Sequence, residues 1–104
     1  MYSIDITEPA EQDIRKAAEY IDTELQNRAA AEKFLDDIEK AIFSLADMPL
    51  RYPLVADKIL ARQGFRFFPV NNYLVFYIVR KKIVVIERVI YKRRNWATIL
   101  KEEK

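Results

Sequence analysis

The sequence predicts an α+β domain: an N-terminal strand, an antiparallel helical hairpin, a three-stranded antiparallel meander and a short C-terminal helix. Three observations predict it. Apolar residues recur at three-to-four spacing before about position 46, the signature of amphipathic helices. From Gly64 onward β-branched and aromatic residues dominate, interrupted by short polar pairs. With 104 residues, 51% of them hydrophobic, and a single Gly, the chain reads as one domain over 1–104 with a modest core.

Each element has its own local cause. Residues Tyr2 to Ile6 alternate and predict a short strand. Thr7 suits an N-cap, Pro9 suits the first helical turn, and Glu8 and Glu11 complement the helix dipole. Ala10, Ile14, Ala17, Ile21 and Leu25 then place a first helix over about 8–25. After a break at Asn27, Ala31, Phe34, Leu35, Ile38, Ile42 and Leu45 predict a second over about 28–46, stopped by Pro49. The short connection makes the pair an antiparallel hairpin. Residues 47–63 carry Pro49 and Pro53 without periodicity and read as a loop. Strands are expected over 65–70, 73–80 and 83–91, joined by Asn71-Asn72 and Lys81-Lys82. Asn tolerates the positive φ of such turns and Lys tolerates it poorly. A short helix over 94–100 would dock Trp96, Ile99 and Leu100.

The absent residue types exclude whole classes of chemistry. Without Cys there is no disulfide, thiolate metal site or thiol nucleophile. Without His the usual general base and commonest metal ligand are missing, so no metal or other cofactor is expected. Any catalysis must use Arg, Lys, Tyr or carboxylates. No apolar run is long enough to span a membrane and the N-terminus lacks a secretory pattern, so a soluble, cytoplasmic protein without a membrane partner is expected.

Charge is unevenly distributed. Residues 1–48 hold 5 Lys/Arg against 12 Asp/Glu, and residues 49–104 hold 13 against 4, giving net charges of −7 and +9. The halves either neutralise each other across the fold or present a basic surface to an acidic partner or a phosphate backbone. The basic residues concentrate after Ile83, where a β-branched run contains Glu87 and Arg88 and ends in Tyr91-Lys92-Arg93-Arg94. Buried charges in a strand require partners. Glu87 is most simply an ion-pair partner of a neighbouring arginine.

Two-residue turns would fix which side chains share a face. One face would carry Arg66, Phe68, Val70, Tyr73, Val75, Tyr77, Val84, Ile86, Arg88 and Ile90. The other would carry Phe65, Phe67, Leu74, Phe76, Ile78, Val85, Glu87, Val89 and Tyr91. Both are apolar and the hairpin covers only one, so a partner chain or the C-terminal segment is expected to cover the rest. Arg66, Tyr77 and Arg88 would form either a stacked cation–π cluster or an anion site.

With these segments in place the chain resembles the RelE/ParE superfamily of type II toxin–antitoxin toxins over nearly its whole length. The resemblance rests on the opening strand and helix from Thr7 to Ile21, the hairpin from Phe65 to Val79, and the ending from Ile86 to Trp96. It implies a small toxin neutralised by a cognate antitoxin. In the ribonuclease branch an arginine follows the tyrosine that opens the hairpin's second strand; here that position is Leu74. The basic residues of the preceding strand would fall near the apolar Phe65 and Phe67, although Arg93 matches a ribonuclease arginine and Tyr91 lies beside it.

Cleavage through a 2′-hydroxyl needs a proton acceptor and cations for the phosphorane charge, which a face of Phe65, Phe67, Leu74, Phe76 and Ile78 lacks. The expected reading is therefore ParE-like: a gyrase-directed toxin binding partners through Phe65, Phe67, Leu74, Phe76, Ile78, Tyr91, Arg93 and Arg94. The alternative is a RelE-like ribonuclease acting on mRNA in the ribosome, with Arg66, Arg88, Tyr91 and Arg93 as catalytic residues. A third reading is an inactive toxin homologue that serves as a binding module.

Overall fold

A computed structural model of the chain describes residues 1–102; the single-domain expectation runs to 104, and residues 103 and 104 lie outside the described residues. The order is β1 (Ser3–Ile6), α1 (Glu8–Thr23), α2 (Arg28–Phe43), two 3₁₀ turns (Ser44–Ala46 and Pro49–Arg51), α3 (Lys58–Arg62), β2 (Arg66–Val70), β3 (Tyr73–Arg80), β4 (Ile83–Tyr91) and α4 (Trp96–Glu102). The four strands form one sheet in the order β1-β4-β3-β2, with β1 parallel to β4 and the other pairs antiparallel.

Local chemistry accounts for the helix boundaries. The Thr7 hydroxyl accepts the Ala10 N–H at 3.1 Å and the Asn27 side chain accepts the Ala30 N–H at 3.0 Å, capping α1 and α2. The expected second helix continues through residue 46, but its last turn tightens to 3₁₀ geometry over Ser44–Ala46. Both two-residue turns form, with positive φ at Asn71 (54°) and at Lys81 (55°).

Residues 47–63 are more ordered than a loop. Asp57 caps α3 by accepting the Leu60 N–H at 3.0 Å. Gly64, at φ +93°, ends it: its N–H donates to the Ala61 carbonyl and the Phe65 N–H to the Leu60 carbonyl. That pair of bonds is a Schellman C-cap, which the chain's single glycine makes possible. The helix spans only five residues, too few for periodicity to reveal it.

Two apolar layers sandwich the sheet. The hairpin covers one face through Ala10, Ala17, Phe34, Ile38 and Ile42, packed on Phe68, Val75, Tyr77, Val84, Ile86 and Val89. The opposite face holds Phe65, Phe76, Ile78 and Ile90 beneath Val55, Leu60, Trp96 and Leu100. The expectation that this face needs cover is met by α3 and α4 of the same chain. Trp96 lies 5.2 Å from the Phe76 ring, and Lys101 Nζ on α4 pairs with Asp57 at 2.8 Å, tying the two covering helices together.

The meander departs from simple alternation at one point. Phe76 pairs with Arg88 and Tyr77 with Ile86, so Glu87 is the extra residue of a β-bulge. The expected face assignment therefore fails beyond Ile86. Val89 turns toward the hairpin, Ile90 toward the second layer, and Tyr91 pairs with Tyr73 on the hairpin side. Helix α1 holds this irregularity: Thr7 Oγ1 donates to the Glu87 carbonyl at 2.9 Å, and Asp13 accepts the Val89 N–H at 2.9 Å. Backbone groups released by the bulge thus regain partners.

Candidate functional site

The expected anion cluster of Arg66, Tyr77 and Arg88 does not assemble, because each member has an internal partner. Arg66 stands opposite Tyr77 in the register, as expected, but its guanidinium donates to the Tyr52 carbonyl at 2.6 Å. Tyr77 is fully buried and its hydroxyl donates to the Pro49 carbonyl at 2.6 Å. Burial pushes its phenol up to about 12, against the opposing pull of Arg66 and Arg51. Arg88 makes a two-point pair with Asp13, Nε to Oδ2 at 2.6 Å and Nη2 to Oδ1 at 2.9 Å. Glu87 offers its carbonyl to Thr7.

The expected apolar docking groove is also closed. Phe65, Phe76 and Ile78 are buried under α3 and α4, while Phe67 and Leu74 are half-buried at the margin. This sheet face, expected to be covered by a partner chain or the C-terminal segment, is a second core beneath α4 and α3 of the same chain, so it no longer argues for an obligate partner. Tyr91, Arg93 and Arg94 remain exposed, as does Lys92. The bulge separates Tyr91 from that face and joins it to a different set of residues.

That set forms a cleft of about 650 Å³ where the tip of the hairpin meets the end of the sheet. Phe34 forms part of its wall, and Tyr20, Leu25, Tyr73 and Tyr91 line it, with Asn71 and Asn72 on the β2–β3 turn. The Tyr73 ring lies 5.2 Å from Phe34, tilted against it, and meets Tyr91 edge-on at 5.6 Å. Burial, then the neighbouring Tyr20 and Tyr91, raise the Tyr73 phenol above its ordinary value. The Lys92 N–H donates to the Asn72 carbonyl at 2.9 Å, fixing the basic knuckle against the turn.

A second hollow of about 230 Å³ shares the Tyr73 and Tyr91 wall and is lined by Lys16, Arg94 and the Asp13–Arg88 pair. Periodicity and charge pattern do not mark Tyr20, Phe34, Tyr73 or Lys16 as site residues. Tyr20 carried the one available signal, an aromatic lying outside the apolar stripe of its helix. Among the described residues no group of His, Cys, Asp or Glu could hold a metal ion, and no helix is long and apolar enough to cross a membrane.

A hairpin packed on a four-stranded sheet, with a basic knuckle at the sheet's end, defines the class: a small α+β domain of one mixed sheet between two helical layers. The chain belongs to the ParE toxin family of the type II toxin–antitoxin system parDE, which matches residues 4–96. Among solved structures it is similar to a chain of the chromosomal ParDE TA system from P. aeruginosa, at 18% identity and TM-score 0.72. That match covers 88% of this chain and 96% of the other. No curated protein matches.

Proposed function

We propose that the protein acts as a ParE-like toxin that inhibits DNA gyrase by binding, and that a cognate antitoxin neutralises it in the cytoplasm. The observation carrying this reading is the commitment of Arg66 and Arg88, two of the four residues a ribonuclease would need. Arg66 is bound to the Tyr52 carbonyl and Arg88 to Asp13, so both guanidiniums are engaged within the fold and neither is left to join Tyr91 and Arg93 in a phosphate clamp. Phosphorane stabilisation depends on cations already aimed at the developing charge. Leu74 adds no cation on the opposing strand. Membership of the ParE family supports the same reading.

Expression without an antitoxin separates the alternatives. The ParE-like reading expects growth to stop with transcripts intact. Rapid cleavage of ribosome-bound mRNA would instead identify a ribonuclease, and normal growth would identify an inactive homologue.

A further inference from the structure

The two hollows that share Tyr73 and Tyr91 differ in chemistry. The larger is lined by Tyr20, Phe34, Tyr73, Tyr91 and the Asn71-Asn72 turn, with no charged residue in its lining. The smaller contains three cations and one carboxylate: Lys16, Arg88, Arg94 and Asp13. Asp13 and Arg88 largely neutralise one another, and Lys16 and Arg94 make no ion pair among the described residues. An aromatic slot therefore adjoins a spot with surplus positive charge, across one wall.

This pairing of surfaces matches a flat ring attached to a phosphate. Phenol rings stack on any nucleobase, asparagine amides can meet base edges, and ammonium or guanidinium groups hold phosphate oxygens. A wholly apolar protein segment would gain nothing from Lys16 and Arg94, and a peptide of acidic residues alone would leave the aromatic slot unused. We propose that the cleft and the cationic hollow form one nucleotide site. Its base would lie against Tyr20, Tyr73 and Tyr91, and its phosphate would face Lys16 and Arg94. The nucleotide comes either free or as an unpaired unit of a single strand, since both present the same ring and phosphate. This site goes beyond gyrase inhibition and requires no cleavage of the bound strand.

The test is fluorescence anisotropy of the full chain with a labelled single-stranded oligodeoxynucleotide, the matching duplex, and dAMP as competitor. The single strand should bind better than the duplex, because only unpaired bases expose a ring face. Tyr20→Ala and Tyr91→Ala alter exposed positions and should each weaken binding about tenfold. Arg94→Gln should lower the salt dependence by about one ion. Competition by dAMP would assign a free nucleotide; binding of the strand without such competition would assign the polymer. Absence of both at low salt would overturn the site. So would affinity unchanged by either tyrosine substitution, which would mean simple attraction to a basic surface. A gyrase assay on the same variants reads the toxin function separately.

Discussion

Asp13 on α1 and Arg88 on β4 form a two-point ion pair across 75 residues of sequence, with side chains only 16% and 14% exposed. The same carboxylate accepts the Val89 N–H, so one side chain neutralises the charge and repairs the ladder beside the bulge. The bulge in turn carries Tyr91 to the hairpin side of the sheet. Shape at the cleft thus depends on a contact between the first helix and the last strand.

Removing one partner leaves the other charge poorly solvated. Asp13→Ala is expected to lower unfolding stability by about 3 kcal/mol, far more than a surface pair would. Chemical denaturation measures it, and a double-mutant cycle with Arg88→Met should report a coupling of about 2 kcal/mol. A loss below about 0.5 kcal/mol would mean that water already separates the pair.

Tyr77 should report its burial at alkaline pH. Its phenol is pushed up to about 12, whereas an unfolded tyrosine ionises near 10. The neutral form is favoured by folding, so this stability is complete below about pH 10 and disappears as pH rises through the folded value. Tyrosinate absorbance should show a late component that coincides with unfolding and is absent in Tyr77→Phe. That variant also leaves the Pro49 carbonyl without its donor, at a cost of about 1 kcal/mol.

The clasp between α3 and α4 should weaken in acid. Asp57 has its carboxyl held below the usual range, first by the Lys101 side chain and then by the α3 backbone. A depressed carboxylate contributes above its unfolded pKa, and that contribution disappears as pH falls through the folded value. Trp96, which packs on the same layer, should change its fluorescence in that acid window. Lys101→Ala should move the change to higher pH.

Backbone strain gives opposite signs at two turns. Lys81 holds a φ of 55°, where a Cβ is unfavourable, so Lys81→Gly should raise stability by about 1 kcal/mol. Gly64 holds φ +93°, and a Cβ there would find ordinary space 3.8 Å from Ile78. Gly64→Ala should therefore destabilise through strain alone, by about 1 kcal/mol. Thermal melts of the two variants should shift in opposite directions.

Most of the architecture was legible because it follows from local rules. Thr7, Pro9 and Asn27 marked helix starts, and the polar pairs at 71–72 and 81–82 set both turns. What escaped was non-local. The Glu87 bulge depends on Thr7 and Asp13, some eighty residues upstream, and no alternation pattern reveals such a bond. The bulge puts Tyr91 on the face opposite to the one alternation predicts, and the unrecognised α3 left the second apolar face with only a partner chain or the C-terminal segment to cover it. Helix α3 was hidden by its length, although Asp57 and Gly64 mark its two ends. The basic knuckle was legible as a surface; its aromatic neighbours Tyr20 and Tyr73 were not.

The most direct test is a gyrase supercoiling assay with the purified protein. Inhibition of supercoiling or accumulation of cleaved DNA, relieved by adding the cognate antitoxin, is the expected result. Undisturbed supercoiling at saturating protein would contradict gyrase as the target.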